Sequence, residues 1–223
     1  MKLLTHQSAK LAKTNTAAVR SAILYLDPLH SVGMCPSASP ACRKACLIHS
    51  GMMRMKTQTA ARKARTAYYW GDREAFMAQL KGEISAAAKS AAKAGKKLDV
   101  RLNGTSDLDW SEIYESFPHV QFHEYTKRPE LAAKLHAFPN VVVTFSKHEN
   151  HSLEDVKSVL FKGINVAVVF EGEVPSETWN GLPVIDGDAH DRRWEDAKGH
   201  IVGLRVKGTN DVKEFAIRRG FAV

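Results

Sequence analysis

Apolar runs of strand length alternate along the chain with stretches of helical period. Ser21-Ala-Ile-Leu-Tyr-Leu26 is the first clear run, closed by Asp27-Pro28, and predicts a strand. Before it, Ser8 to Thr14 reads as either a short helix or a loop. Thr57 to Trp70 is alanine-rich and basic, and Gly71-Asp72 breaks it. Asp72 then stands as the N-cap of a second helix, Arg73 to Ala94, with Phe76, Met77, Leu80 and Ile84 on one face.

From Leu98 the rhythm becomes regular. Strands are predicted at Leu98–Leu102, Val120–Tyr125, Val141–Phe145, Val166–Phe170, Val184–Ile185 and Ile201–Val206. Helices are predicted at Trp110–Glu115, after Pro129 to His136, at Leu153–Phe161 and at Val212–Arg219. Ser152 with Asp155 three residues on is a loose capping box. Strands alternating with helices predict parallel pairing through right-handed crossovers. Runs such as Val141-Val-Val143 predict strands buried on both faces. The expected fold is α/β: one domain over residues 1–223, its β-α repeats forming a partial or closed (β/α) barrel, with an open doubly wound sheet as the alternative.

Composition narrows the class. Hydrophobic content of 44% and charged content of 25% are those of a globular protein. No apolar run approaches the roughly 20 residues of a membrane span, and Met1 to Gln7 lacks a signal-peptide core. A cytoplasmic protein with no membrane partner is expected. The net charge of +8 favours a polyanionic partner such as nucleic acid. Arg54, Lys56, Arg62, Lys63 and Arg65 cluster ahead of Tyr68, Tyr69 and Trp70, an interleaving that suits single strands. The same residues also suit a helix with solvated lysines and packed aromatics.

In a parallel α/β barrel the loops after the strands gather on one face and carry the site. Here those loops are polar one after another. They supply Asn103, Thr105 and Asp107, then Glu124 and Lys127, then Ser146, His148 and His151, then Glu171, then Asp186. Each has a plainer reading: Asp107 or Asp109 as an N-cap, Thr126 to Pro129 as a turn, Asn103-Gly104 and Asp186-Gly187 as turn signals.

The cysteines are the sharper signal. Cys35, Cys42 and Cys46 are the only three in 223 residues and lie within twelve. A core scatters its cysteines, and a disulfide framework uses even numbers, so three clustered thiols point to a metal centre. Pro36 and Pro40 make the chain wrap between the first two, and a helix starting near Pro40 brings Cys42 and Cys46 to one side. The spacing is unusual for a zinc finger, although His30 or His49 would complete a zinc set. A [4Fe-4S] cluster on three thiolates, with one iron open to a small molecule, is the expected centre.

A three-cysteine loop directly after the first strand of a β-α series resembles the radical SAM superfamily. That resemblance implies a barrel and S-adenosylmethionine at the open iron. Asp107, Glu124, Lys127 and Asp186 would then act on the reacting ligand, and Asn103, Thr105, Ser146 and Glu171 would bind the cofactor. The spacing departs from that family's, with six residues and then three between cysteines, and Asn103 to Asp107 stands where a Gly-Gly-Glu motif would fall. A nearer resemblance is to the phage-encoded gene product 88 family, of unassigned function. It is carried by Cys35 to Cys46, Val100 to Asp107, Phe122 to Lys127, Val184 to Asp188 with Asp191 and Arg192, and Lys198 to Gly208. It implies phage or prophage origin, hence a host cytoplasm, and a cysteine-bound metal. Three functions follow as expectations: a cluster protein of radical-SAM type, a non-catalytic iron–sulfur protein binding single-stranded nucleic acid, and a zinc-stabilised structural phage protein.

Overall fold

The computed structural model describes residues 1–7, 11, 14–29 and 33–223. Most of the stretch from Ser8 to Thr14, and His30, lie outside the described residues. The strands are β1 (Leu4–Thr5), β2 (Val19–Leu24), β3 (Lys97–Arg101), β4 (Gln121–Thr126), β5 (Val141–Ser146), β6 (Asn165–Phe170), β7 (Thr178–Trp179), β8 (Leu182–Asp186) and β9 (Ile201–Arg205). Among the described residues the helices are α1 (Pro40–Lys44), α2 (Lys56–Gly71), α3 (Arg73–Lys93), α4 (Ser111–Ser116), α5 (Pro129–His136), α6 (Leu153–Phe161) and α7 (Asn210–Arg218). The nine strands form one mostly parallel sheet in the order β1-β2-β3-β4-β5-β6-β9-β8-β7. The sheet is open, so the α/β class holds and the open alternative fits, while the expected barrel closure is not formed. Short antiparallel strands, β1 on β2 and β7 on β8, stand where a closed barrel would continue its parallel pairing.

The chain falls into two compact units that interleave in sequence. The first comprises Met1–Pro36, Met55–Glu124 and Phe138–Val142. In it β2 pairs parallel with β3, Ser21 opposite Asp99, and β3 pairs parallel with β4. Asp72 caps α3 by accepting from the Ala75 N–H at 2.9 Å, and Phe76, Leu80 and Ile84 are fully buried. Tyr69, Phe76 and Trp110 form an aromatic cluster, with Tyr69 edge-to-face at 5.3 Å from Phe76 and 5.8 Å from Trp110, and Phe76 stacked on Trp110 at 6.4 Å.

The second unit comprises Ser37–Arg54, Tyr125–Ala137 and Val143–Val223. In it β5, β6, β9 and β8 pair parallel in that order. The last strand thus lies inside the one before it. Burial explains the inversion: Ile201, Val202 and Gly203 are all buried, whereas β8 has only Val184 buried. A Cβ at Gly203 would lie 2.2 Å from a Val174 methyl, so the central position admits no side chain there. β7 and β8 form a hairpin whose turn is Asn180-Gly181, with φ of 51° and 75°, the pairing that a type I′ turn demands. α6 begins with the expected capping box, Ser152 accepting from the Asp155 N–H and the Asp155 carboxylate from Ser152.

Gly104 follows β3 and donates its N–H to the Leu24 carbonyl at 3.1 Å. A Cβ there would stand 2.5 Å from that oxygen and 2.6 Å from an Ile23 methyl. Gly104→Ala is expected to destabilise the protein by about 1–3 kcal/mol, read as a lower urea midpoint at unchanged slope.

Candidate functional site

The cysteine segment takes the predicted local form. Ser39 caps α1 by accepting from the Cys42 N–H at 3.1 Å, and Pro40 occupies the first turn. Cys42 is in the helix, and Cys46 lies just past it at the start of a 3-10 turn, Leu47–His49. Cys35 belongs to the first unit, where its thiol donates to the Thr105 carbonyl at 3.6 Å. None of the three is in a disulfide, and all are partly exposed. Among the described residues no three His, Cys, Asp or Glu side chains are grouped as a metal site.

Within the second unit α1 is fixed from both ends. The Glu149 carboxylate, after β5, accepts from Ser39 Oγ at 2.5 Å and from the Ala41 N–H at 3.0 Å. These bonds hold Glu149 below the usual carboxylate range, although its partial burial works the other way. At the other end Ala45 packs on the small core of Val206, Ala216 and Ala222. Beside Glu149, the rings of His148 and His151 lie with centroids 3.8 Å apart and planes inclined by 38°, and His151 also lies against Phe145 at 4.8 Å. Lys127 Nζ donates to Ser146 Oγ at 2.9 Å. Burial, then the neighbouring His151, Lys127 and Lys147, lowers His148 to about 4. His151 is lowered too, first by burial.

Other residues picked out by sequence have structural partners. Asn103 Oδ1 accepts from Ser106 Oγ, the Leu108 N–H and Trp110 Nε1, while its amide donates to the Leu108 carbonyl. Thr105 Oγ1 donates to the Leu26 carbonyl, and the Asp107 N–H to the Met34 carbonyl. Glu124 is wholly buried and accepts from the Leu102 and Asn103 N–H groups at 2.7 and 2.9 Å. Burial raises it to about 6 against the pull of those two bonds. In the second unit Glu171 is exposed. Asp186 accepts from the Asp188 N–H at 2.8 Å and pairs with Arg205 at 3.4 Å.

One buried group went unread. Asp99 and His123 are each 1% exposed and joined at 2.8 Å, and Arg101 and Ser21 are buried on the same strand face. The alternation Leu98-Asp99-Val100-Arg101 reads as a strand with one wet face, yet that face is covered. The available signal was polar residues recurring at matched positions of adjacent strands.

The basic helix supports nucleic-acid contact only in part. Arg62 is 2% exposed and donates to Thr59 Oγ1 rather than facing solvent, and Arg65 Nε donates to the Lys2 carbonyl. Tyr69 is in the core, while Lys56, Lys63 and Trp70 are exposed; Arg54, in the other unit, is exposed as well.

The fold and these partners define an α/β protein with an open, mostly parallel sheet and a separately anchored cysteine helix. The chain belongs to the Gene product 88 family, whose model matches residues 2–222. That match gives no support to a radical SAM relationship. None of the curated proteins compared with the chain matches it. Among the described residues no helix is long and apolar enough to cross a membrane.

Two outcomes are expected. Glu149→Ala removes both bonds to the start of α1, and Cys42 should then react faster with a thiol reagent under native conditions; an unchanged rate would mean that α1 is held elsewhere. His148 is neutral in the fold and titrates normally when unfolded, so its contribution is full above about pH 6.5 and lost as pH falls toward about 4. Glu124 acts in the opposite sense, favouring the fold as pH falls from about 6 toward 4.5, so the wild type is compared with His148→Gln at each pH. The stability difference should shift by about 2–3 kcal/mol against the wild type between about pH 7.5 and 4.5.

Proposed function

We propose that this member of the Gene product 88 family is a metal–thiolate protein in which Cys35, Cys42 and Cys46 hold a [4Fe-4S] cluster with one iron open to a small molecule. The observation that carries the reading is the thiols themselves: every cysteine of the chain lies within twelve residues, none is in a disulfide, and all three are partly exposed. Three soft donors on a short wrapped segment suit iron–sulfur or zinc in donor chemistry, and three rather than four favour a centre that keeps one position open. The separate anchoring of α1 supports the same reading, since Glu149 and the α7 side fix the segment carrying Cys42 independently of any metal.

When bound, such a cluster supplies one-electron chemistry or a Lewis-acidic iron. The protein's own part is to place Cys42 and Cys46 about one turn apart and to leave them accessible. S-adenosylmethionine as the open-site ligand, and phage origin with a host-cytoplasmic location, are finer parts of the proposal. Asp107 and Glu124 would act there as positioning residues for the loops they hold, and Lys127 as a ligand contact. Charge alone, with Arg62 buried, carries no separate nucleic-acid function.

Anaerobic purification with iron and acid-labile sulfide analysis is the test. About four of each per chain are expected. Cys35→Ala, Cys42→Ala and Cys46→Ala should each lower both while far-UV circular dichroism is kept. Stoichiometric zinc without sulfide, or iron retained in all three variants, would overturn the assignment. Addition of S-adenosylmethionine to the reduced protein should change its electron paramagnetic resonance signal; an unchanged signal removes that ligand alone.

A further inference from the structure

In the first unit a groove runs between α3 and the edge of the sheet. β1 pairs antiparallel with β2, Leu4 opposite Leu24 and Thr5 opposite Ile23. Alternation along the pair places His6, just past β1, and Arg20 of β2 on the same face as the buried Leu4 and Leu24. α3 is tied to this edge at two points. Glu83 accepts from the Leu3 and Leu4 N–H groups at 3.0 and 2.8 Å, and Arg20 donates to Ser90 Oγ at 2.7 Å.

The groove encloses about 370 Å³, a volume for a small molecule rather than a macromolecule. On the α3 side it is lined by Glu83, Ala86, Ala87 and Ser90, residues at the spacing that shares one helix face. Lys2, His6 and Arg20 line the rest. Small side chains on the helix leave the room, and basic side chains from the strand edge supply the charge.

That charge is unbalanced. Among the described residues lining the groove Glu83 is the one acid, and its carboxylate is turned to Leu3, Leu4 and the Gln79 amide. A guanidinium has five N–H groups, so the bond to Ser90 orients Arg20 and uses one of them. His6 is lowered first by burial, with Lys2 and Arg20 pushing the same way and Glu83 opposing. An anion seated among these groups relieves the repulsion between them and raises His6.

The ligand chemistry follows from the donors. A phosphate monoester presents three outer oxygens and nearly two negative charges at neutral pH, and a guanidinium takes two such oxygens in its fork. A carboxylate brings two oxygens and one charge. Ala86 and Ala87 project no more than a methyl group, which lets a flat apolar body lie against the helix.

We propose that the groove between α3 and the β1–β2 edge binds a phosphate monoester of a small molecule, with Lys2, His6 and Arg20 holding the phosphate and the alanines of α3 taking the apolar body. The site uses no cysteine, so it and the metal centre stand independently.

The test is a titration of the full chain, labelled with nitrogen-15 in histidine, with phenyl phosphate, inorganic phosphate and benzoate in turn. Ionic strength is held constant with chloride, and His6→Gln identifies the His6 signal. Phenyl phosphate should move that signal saturably and raise the pH at which His6 titrates. Inorganic phosphate, which lacks the ring, and benzoate, which lacks the third oxygen and second charge, should both bind more weakly. Arg20→Gln should weaken phenyl phosphate at least roughly tenfold, the loss of a charge-assisted contact, while Lys56→Gln, at an exposed lysine of α2, should leave it unchanged. Ala86→Leu keeps every charge and fills the groove, and it should weaken phenyl phosphate as well. An unmoved His6 signal, shifts that chloride reproduces, or unchanged affinity in Arg20→Gln or in Ala86→Leu would each overturn the site. Benzoate binding as tightly would overturn the phosphate assignment, and inorganic phosphate binding as tightly would overturn the apolar wall. Iron and sulfide content is a separate readout, so failure here leaves the cluster assignment to its own test.

Discussion

A carboxylate that accepts two donors from one neighbouring segment fixes that segment in place, and this protein relies on the device repeatedly. Glu83 accepts from the Leu3 and Leu4 N–H groups and seats the strand that begins the sheet. Glu124 does the same for Leu102 and Asn103 at the end of β3. Glu149 takes Ser39 and Ala41 and so decides where the cysteine helix lies. Each bond is charge-assisted and stronger than a neutral one. Each of the three carboxylates also satisfies at least one backbone donor, Leu3 and Leu4, Leu102 and Asn103, or Ala41.

This explains which parts of the molecule were legible in its sequence. Elements follow from periodicity, so α6 at Leu153–Phe161 and the strands from β3 to β6 are found within a residue or two of their predicted limits. Chirality and burial then make the pairings parallel. Strand order is a different matter, because it is settled by competition for the most buried place. Gly203 and its apolar neighbours won that place for β9. The Asn180-Gly181 turn was present as a short-range signal and marks a hairpin between two strands too short to announce themselves. Polar residues after strands were harder. Asn103 and Glu124 were chosen for their chemistry, yet Asn103 is bound to the backbone of its own loop and Glu124, on β4, to the backbone at the end of β3. Nothing in spacing tells a clamp from a ligand contact; only the partner does.

Two groups of side chains meet at Glu149, the thiols of the cysteine helix and the histidines of the loop after β5. The thiols of Cys42 and Cys46 are soft donors suited to a metal. The loop that bears His148 and His151 carries the carboxylate that anchors the cysteine helix. Glu149 is covalently part of the second and hydrogen-bonded to the segment bearing the first. A change at this one carboxylate therefore reaches both, whereas the clamp at Glu124 acts on the β3 loop alone. In the first unit the buried pair of Asp99 and His123 joins β3 to β4 on one strand face.

The open sheet carries a hazard that a closed one avoids, since an edge strand with unpaired N–H and C=O groups invites another chain to add on. Here the outermost strands β1 and β7 are two residues long each. An edge of that length offers too few ladder positions to template an intermolecular strand. Each unit is thus guarded against edge-to-edge aggregation by brevity, without needing a proline or a charged face at the rim.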